Sequence, residues 1–183
     1  MLVPSLLRDV LLEIAARDVY RPLWSSEILD EVDRAVRRIS ARKGADPDVV
    51  DAYVGRLKAQ MTTAFPDALV QGWQPLVETI DLPDVNDRHV VAAAQHGRAD
   101  VVVTNNRADF PIERLPTPLF TQTADTFLLD TYDLHPQPVL NALDAVADRT
   151  GRHGPKRTTL DLIDLLGARG CGNFAEAVAR NLA

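Results

Sequence analysis

Residues 81–111 read DLPDVNDRHVVAAAQHGRADVVVTNNRADFP, and most of what we expect of this chain depends on this stretch. Two apolar runs, residues 76–80 and 101–103, are predicted to form neighbouring parallel strands joined by a helix over about residues 87–95. In an open α/β sheet, ligands bind beyond the carboxyl ends of the strands. Those ends carry acidic and polar side chains: Asp81, Asp84, Asn86 and Asp87 after the first strand, and Thr104, Asn105, Asn106 and Asp109 after the second.

The side chains at these strand ends carry the chemistry of a metal site. Hard divalent cations such as Mg²⁺ and Mn²⁺ prefer oxygen ligands, and Mg²⁺ typically takes one or two carboxylates while keeping several waters. Asp84, Asp87 and Asp109 can supply those carboxylates. A bound ion lowers the pKa of its water and stabilises negative charge on a scissile phosphate. The pattern therefore indicates phosphodiester hydrolysis without a nucleophilic side chain.

Simpler interpretations of the same residues stay open at this point. Asp87, at the start of a helix, can act only as a cap or as a partner of the helix dipole. Asn105 and Asn106 can simply form the turn after a strand, and Asp109 can close that loop. We place His89 at the rim of the site, because hard oxygen sites rarely recruit a single imidazole.

A helix expected over about residues 25–39 brings a further acid toward the sheet. Its apolar stripe puts Glu31 and Asp33 on opposite shoulders, from which either acid can reach over a sheet edge. The pattern does not choose between the two acids. This segment also begins the densest basic run of the chain, which is either a solvated face or a phosphate-contacting patch: Arg34, Arg37, Arg38, Arg42 and Lys43.

The order of elements predicts an α/β fold followed by a wholly helical segment. Short strands are also expected at residues 19–23 and 119–120, and helices after Pro4, from residue 46 or 48, and after Pro66. From residue 123 onward, helices are expected near residues 124–132, 136–149, 158–167 and 173–181.

Composition limits the class of protein. The chain has 183 residues, 46% of them apolar, and a net charge of −6, which argues against general polyanion binding but not against nucleic-acid chemistry at a metal. It contains no GxGxxG, GxxxxGK[ST], HExxH or GxSxG motif, and its single Cys171 excludes an internal disulfide. With no secretory signal and no membrane-spanning apolar run, we expect a cytoplasmic protein.

The stretch at residues 81–111 closely resembles the PIN-domain family, in particular the VapC-type toxin nucleases of bacterial toxin–antitoxin pairs. SSEILDEVDRAV at residues 25–36 resembles the second acidic segment of that family. The resemblance implies a three-layer α/β/α PIN-like nuclease domain with a short parallel central sheet over residues 1–122. It also implies a helical C-terminal extension over residues 123–183.

Carried onto this chain residue by residue, the resemblance selects Glu31 rather than Asp33 as the helix acid. It makes Asp87 the central metal ligand and Asp84 a possible helper. The apolar periodicity of the helix does not distinguish the two acids, so this choice rests on the resemblance alone. Glu31 and Asp87 are thus two of the three acidic positions that this chain has of the four expected in the family.

For the last acidic position the resemblance leaves Asn106 and Asp109 open, and we favour Asp109 as the ligand. Asn106 occupies the place of an aspartate in the more usual TxD pattern of the family. Thr104 is expected to form a hydrogen bond within the acidic cluster. The residues expected to contact RNA come from the basic run: Arg37, Arg38, Arg42 and Lys43.

The implied activity is that of an endoribonuclease toxin that uses Mg²⁺ or Mn²⁺ to activate a water molecule. Its expected partners are an RNA substrate, a cognate antitoxin and a second copy of the chain, with no membrane. Two other functions stay open. One is a catalytically crippled PIN fold that binds antitoxin or RNA, and the other is a metal-dependent phosphohydrolase acting on DNA or a small phosphate ester.

The start of the chain departs from the family pattern. PIN domains begin with a central strand that ends in an aspartate, whereas this chain enters that pattern at residues 2–4. We therefore expect the first strand and its aspartate to be missing, through a misassigned start or a true truncation. Weaker metal binding or lower stability is the expected consequence.

Overall fold

The computed structural model describes residues 5–151 and 154–182. The α-helices in these residues are α1 (Ser5–Ala15), α2 (Ser26–Arg42), α3 (Pro47–Ala64), α4 (Arg88–His96), α5 (Ala124–Leu134), α6 (Pro136–Arg149), α7 (Thr159–Gly167) and α8 (Gly172–Leu182). The strands are β1 (Val101–Val103) and β2 (Phe120–Gln122). Four 3₁₀ turns lie at Pro66–Ala68, Gln74–Thr79, Val85–Asp87 and Ile112–Arg114. The predicted α/β class with a short parallel sheet and C-terminal helices is confirmed.

The helices were well predicted where their ends carry polar caps. Ser25 accepts a backbone N–H of the first turn of α2 at 3.2 Å, and Asp46 caps α3 in the same way at 2.9 Å. Thr158 and Asp161 form a reciprocal capping box at the start of α7. All four helices expected after residue 123 are present as α5–α8.

The chain forms two compact units. The first comprises, as far as these ranges are described, Met1–Arg21, Val103–Asn105 and Gln122–Ala183, and the second comprises Pro22–Val102 and Asn106–Thr121. Helix α1 therefore belongs to the same unit as α5–α8. The domain boundary expected between residues 122 and 123 stays a prediction, and the expectation about residues 2–4 falls outside the described residues.

The first unit is built on the apolar faces of α1 and the C-terminal helices. Val10 and Ile14, on the predicted apolar face of α1, are fully buried in the same cluster as Leu128 of α5 and Phe174 of α8. Asp125 fixes α8 to α5, because its carboxylate accepts the backbone N–H of Phe174 at 2.9 Å. The C-terminal helices and α1 thus share one apolar core.

Glu13 on α1 joins two arginines of this unit. Its carboxylate accepts hydrogen bonds from Arg17, one turn later, and from Arg149 at the end of α6. Burial alone would raise the pKa of Glu13, but the hydrogen bonds and charges of the two arginines outweigh burial and lower it. A lowered pKa means that the folded state favours the ionised form of Glu13. This cluster therefore stabilises the fold at pH values above the pKa of glutamate in the unfolded chain.

We expect Glu13→Gln to lower the free energy of unfolding by about 1–3 kcal/mol at neutral pH, because two charge-assisted hydrogen bonds lose their ionised acceptor. The difference from wild type should shrink as the pH falls through the folded-state pKa of Glu13, where wild type loses the same charge. Urea unfolding at neutral and acidic pH measures both effects. Glu176→Gln, at an exposed position of α8, is the control, and equal destabilisation by both variants would contradict the prediction.

The second unit packs around α4 and the turn at Gln74–Thr79. Val91 of α4 is fully buried and shares an apolar cluster with Trp73 and Phe110. Asp87 immediately precedes α4, and Asp109 immediately precedes Phe110. The two aspartates are therefore anchored by neighbours that belong to one core.

The sheet consists of β1 and β2. The N–H of Phe120 donates to the Asp100 carbonyl at 3.1 Å, and the N–H of Thr104 donates to the Gln122 carbonyl at 2.8 Å. Both strands advance in the same direction between these two bonds, as a parallel pair requires. The strand expected at residues 119–120 is thus present at Phe120–Gln122.

The strand predicted at residues 76–80 is wrong, and so is its pairing with residues 101–103. This segment lies at Gln74–Thr79, a 3₁₀ helix with Pro75 in its first turn. Proline has no N–H to donate to a sheet and fits the first turn of a helix. The Thr79 hydroxyl donates to the Leu76 carbonyl at 2.7 Å and supports the same turn. A short apolar run does not by itself distinguish a strand from a helical turn.

The strand predicted at residues 19–23 is also wrong. A single parallel bridge between Trp24 and Leu69 is formed just after it. Asp18 has a positive φ of 58° and turns the chain at the end of α1. Pro22 then removes a donor that a strand would need.

Within the described residues, no helix combines the length and the apolar character that crossing a membrane demands.

Candidate metal centre

Asp84 organises the turn that leads into α4. Its Oδ1 accepts both the backbone N–H and the side-chain amide of Asn86, each at 2.9 Å. An aspartate that accepts the N–H two residues further on closes an Asx-type turn, and here it caps the 3₁₀ turn Val85–Asp87. The carboxylate of Asp84 is thereby held in one orientation by its own segment.

Asp87 lies where a helix cap would lie, between this turn and α4. Its side chain makes no capping hydrogen bond to α4, and its backbone is helical, with φ −86° and ψ −8°. An aspartate that caps a helix is usually extended instead. The geometry therefore argues against Asp87 acting only as a cap.

Asp109 comes from the loop between β1 and the 3₁₀ turn Ile112–Arg114. The side-chain amide of Asn106 donates a hydrogen bond to Oδ2 of Asp109. On the other side, Phe110 is buried in the core of the second unit. Asp109 is thus held from both directions, and Asn106 acts as a donor to this carboxylate.

The structure brings Asp84, Asp87 and Asp109 together. Each offers one carboxylate oxygen, and the three oxygens lie within 4.8 Å of one another. Two oxygens on one Mg²⁺ lie about 3–4 Å apart, given metal–oxygen distances of about 2.1 Å. Small side-chain rotations would therefore place all three on one ion. Three carboxylates are a donor set that fits a hard cation such as Mg²⁺ or Mn²⁺.

Several negatively charged carboxylates lie close together at this site, and they affect the pKa of Asp87. The pKa of Asp87 is raised above its usual value, first by burial and then by the negative charges of Asp84, Asp109 and Glu31, while His89 acts in the opposite direction. An ionised Asp87 is therefore disfavoured by its surroundings. A bound cation would reverse this effect, because it attracts every carboxylate of the group.

The two candidate helix acids of α2 have different partners. Asp33 forms an ion pair with Arg37 on an exposed part of the helix. Glu31 has its Oε1 3.3 Å from Nε2 of His89, and its charge contributes to the raised pKa of Asp87. The geometry thus favours Glu31 over Asp33 as the acid near the cluster, although Glu31 stands outside the group of three close aspartates.

His89 is buried, and its predicted place at the rim of the site, rather than among the ligands, stays a prediction. The side chain is only 11% exposed. It shares one side of α4 with Ala92 and Ala93, which follow at helical spacing and are also buried. The helix therefore turns His89 inward, toward the core of the second unit.

The basic run that begins on α2 separates into two groups. Arg37 forms ion pairs with Asp33 and Asp51, so its charge is matched within the unit. The remaining residues are exposed, and among the described residues the one ion pair in this group joins Arg34 to Glu31, at 3.9 Å. This exposed group consists of Arg34, Arg38, Arg42 and Lys43.

Three further polar residues of the opening stretch have other partners. Thr104 lies in the first unit, and the hydrogen bond predicted between it and the acidic cluster stays a prediction. Asn105 accepts the first N–H of α5 at 3.2 Å. Asp81 is mostly exposed and forms an ion pair with Arg114 at 3.3 Å. Asp81 therefore has a surface role, distinct from that of Asp84 and Asp87.

Sequence reasoning missed two contacts at this site. The bond from Asn86 to Asp84 could have been found, because an aspartate followed two residues later by an amide is a known turn pattern. The contact of His89 with Glu31 joins residues 58 positions apart, and no local pattern indicates it.

Comparisons with known proteins gave matches to two family profiles and to a curated relative. The sequence profile of a family described as "PIN domain" matches residues 3–108, and that of a family described as "VapC50 C-terminal domain" matches residues 124–180. Over 112 residues the chain is 36% identical to a protein of Mycobacterium tuberculosis (strain ATCC 25618 / H37Rv) named "Putative ribonuclease VapC50". This match covers 58% of the chain and 60% of that curated relative. No solved structure matches the chain with significance.

Proposed function

Because the chain belongs to the PIN-domain family and carries a VapC-type helical C-terminal extension, we propose that it is a divalent-metal-dependent endoribonuclease toxin. The observation that carries the proposal is the convergence of Asp84, Asp87 and Asp109 on one point of the second unit. The relative from Mycobacterium tuberculosis is named a ribonuclease, which supports RNA as the substrate.

In this proposal Asp84, Asp87 and Asp109 hold Mg²⁺ or Mn²⁺, with Glu31 beside them. Such an ion, when bound, supplies electrostatic stabilisation of the phosphate and lowers the pKa of a water molecule. Oε1 of Glu31 contacts His89, so we assign the other oxygen, Oε2, to accept the proton that the attacking water releases. No side chain needs to act as a nucleophile.

Two amides support the carboxylates. Asn86 donates to Asp84, and Asn106 donates to Asp109. Each amide lowers the rotational freedom of one aspartate and offsets part of its negative charge. In this proposal Asp109 is the ligand and Asn106 orients it, which resolves the choice left open at the last acidic position.

The proposal includes partners and a location. A cognate antitoxin would neutralise the toxin, and a second copy of the chain would form a homodimer, as the VapC-type resemblance implies. We propose the cytoplasm as the location, because a toxin of this kind would meet its RNA substrate and its antitoxin there.

Incubation of the purified protein with a structured RNA and Mn²⁺ tests the activity. We expect RNA fragments to appear with Mn²⁺ or Mg²⁺, to stop forming when the ion is removed with a chelator, and to form again when the ion is restored. Cleavage that survives chelation would contradict metal dependence. Intact RNA with every divalent ion tried would favour the crippled, RNA-binding alternative.

We propose that the exposed arginines of α2 bind the phosphates of the RNA. Arg34, Arg38 and Arg42 follow one another at four-residue spacing, so they share one face of the helix. This row starts one turn after Glu31 and extends along α2 for roughly 12 Å, given a rise of about 1.5 Å per residue. Arg37 points to its two aspartates instead, so we leave it out of the row.

We expect Arg38→Gln and Arg42→Gln each to weaken RNA binding and to flatten its salt dependence. The slope of log K against log salt should fall in magnitude by about 0.7 for each lost phosphate contact to a single strand. Arg37→Gln is the matched control on the same helix, and it should change the slope less. Fluorescence anisotropy with a labelled single-stranded RNA in chelator measures these slopes, and an equal loss for Arg37→Gln and Arg38→Gln would contradict the assignment.

A further inference from the structure

The imidazole of His89 contacts Trp73 and Glu31 in the second unit. Its ring centroid lies 6.0 Å from that of Trp73, with the two rings inclined by 52°. On the other side, Nε2 lies 3.3 Å from Oε1 of Glu31. Only 11% of the His89 side chain is exposed, whereas 44% of the Glu31 side chain is exposed. A buried, packed ring thus touches a carboxylate that is otherwise open to solvent.

The hydrogen bonds available to this ring identify its tautomer. An ionised carboxylate only accepts hydrogen bonds, so Nε2 must carry a proton to bond Glu31. Nδ1 is buried and has no hydrogen-bond partner within the described residues. A proton on Nδ1 would be a buried donor without an acceptor, which is the costlier arrangement. We therefore assign the proton that faces Glu31 to Nε2.

Glu31 needs such a partner more than the aspartates do. Asp84 and Asp109 are short side chains, each fixed by an amide donor, whereas Glu31 has an additional rotatable bond. Its other contact, to Arg34 at 3.9 Å, lies on an exposed part of α2, where such pairs hold geometry weakly. His89 is the buried partner that restricts the orientation of Glu31.

We propose that His89 is a positioning residue, whose Nε2–H, held in place by packing against Trp73, orients the Glu31 carboxylate toward the aspartate cluster for a divalent cation. This inference rests on the proposed function, which places Glu31 beside the ion, where the charge of its carboxylate adds to the ion affinity. It adds to that function a residue that touches neither the ion nor the RNA. His89 lies in the first turn of α4 and Asp87 immediately precedes that helix, so one short segment sets both positions.

Two substitutions separate the hydrogen bond from the packing. His89→Gln keeps an N–H donor near the place of Nε2, whereas His89→Leu keeps bulk against Trp73 but has no donor. Calorimetric titration with Mn²⁺ should show about 10-fold weaker binding for His89→Leu, which is the usual scale for loss of a group that orients a metal ligand. His89→Gln should stay within about 2-fold of wild type.

A double-mutant cycle distinguishes positioning from general damage. If His89 acts through Glu31, His89→Leu should change Mn²⁺ affinity by less than about 2-fold in a Glu31→Gln background. Equal losses in both backgrounds would overturn the proposal, because they would mean that His89→Leu perturbs the site by another route. Wild-type affinity in His89→Leu would overturn it as well.

Nitrogen NMR of the imidazoles in the ion-free protein tests the contact independently of the function. We expect the His89 ring, assigned by its disappearance in His89→Gln, to show a proton on Nε2. Glu31→Ala should shift the Nε2–H signal, and an unshifted signal would overturn the contact. A wild-type protein that takes up no Mn²⁺ would instead overturn the proposed function, while the NMR result would still decide whether His89 bonds Glu31.

Discussion

Asp87→Asn is expected to abolish ion-dependent RNA cleavage while making the ion-free protein more stable. Asp87 is central to the group of three aspartates, and a neutral amide binds a hard cation far less well than a carboxylate does. Since a bound ion contributes several kcal/mol of transition-state stabilisation, the loss of activity should be at least about 100-fold.

The gain in stability follows from the pKa of Asp87, which burial and its acidic neighbours raise. A raised pKa means that the folded state binds this proton more tightly than the unfolded state does. The folded protein therefore loses stability as the pH rises through the folded-state pKa of Asp87, and at neutral pH the charge is a cost. Asparagine removes that cost, so the melting temperature in chelator should rise.

Asp81→Asn is the matched control for this prediction. Asp81 lies in the same segment, but its side chain is 77% exposed and paired with Arg114. An exposed pair of this kind contributes about 0–1 kcal/mol, so neither activity nor melting temperature should change much. Cleavage that persists in Asp87→Asn, or a lower melting temperature for that variant in chelator, would contradict the prediction.

Leu128→Ala is expected to destabilise the first unit by about 2–5 kcal/mol, because it leaves a cavity at a fully buried position of α5. Leu134→Ala offers the same change in the same helix at a position that is 75% exposed. That control should alter the free energy of unfolding by less than about 0.5 kcal/mol. Urea unfolding followed by circular dichroism compares the two, and similar effects would contradict the packing described for α5.

Ile14→Ala tests whether α1 unfolds together with the C-terminal helices. Ile14 of α1 is fully buried in the same cluster as Leu128, although more than 100 residues separate them in the chain. Both substitutions should therefore shift the same unfolding transition. If Ile14→Ala instead shifted a transition that Leu128→Ala leaves unchanged, α1 would fold apart from the C-terminal helices.

The helices were predictable because their signals are local. Pro136 in the first turn and the apolar spacing that follows it define α6, which the sequence placed at its observed bounds. Ser25 and Asp46 marked the starts of α2 and α3 in the same way. In each case the residues that decide the structure lie within a few positions of one another.

The strands depended on partners that the local sequence does not show. Residues 76–80 contain the apolar residues Leu76, Val77 and Ile80, as a short strand can, yet Pro75 starts a 3₁₀ helix that runs to Thr79. Trp24 pairs with Leu69 across 45 positions, in a single bridge too short to leave a pattern. Apolar content alone therefore placed two strands where the chain forms none.

Three of the predicted site residues, Asp84, Asp87 and Asp109, lie together, but they do so for a partly different reason than the one we expected, and their role as ligands stays a prediction. Asp84 and Asp87 reach the cluster through a 3₁₀ turn rather than from the end of a strand. What brings them to Asp109 is the shared core of Val91 and Phe110, and that packing is invisible in the local pattern. Glu31 shows the same limit, because the apolar periodicity of α2 does not separate it from Asp33, whereas its contact with His89 does.

Calorimetric titration of Mn²⁺ into wild type and Asp109→Asn tests the metal site most directly. Asp109 comes from a different segment than Asp84 and Asp87, so it contributes to ion binding only if the three meet as the structure places them. We expect wild type to bind Mn²⁺ and Asp109→Asn, still folded by circular dichroism, to bind it at least about 10-fold more weakly. Equal Mn²⁺ affinity in the two proteins would contradict a metal centre built on these three aspartates.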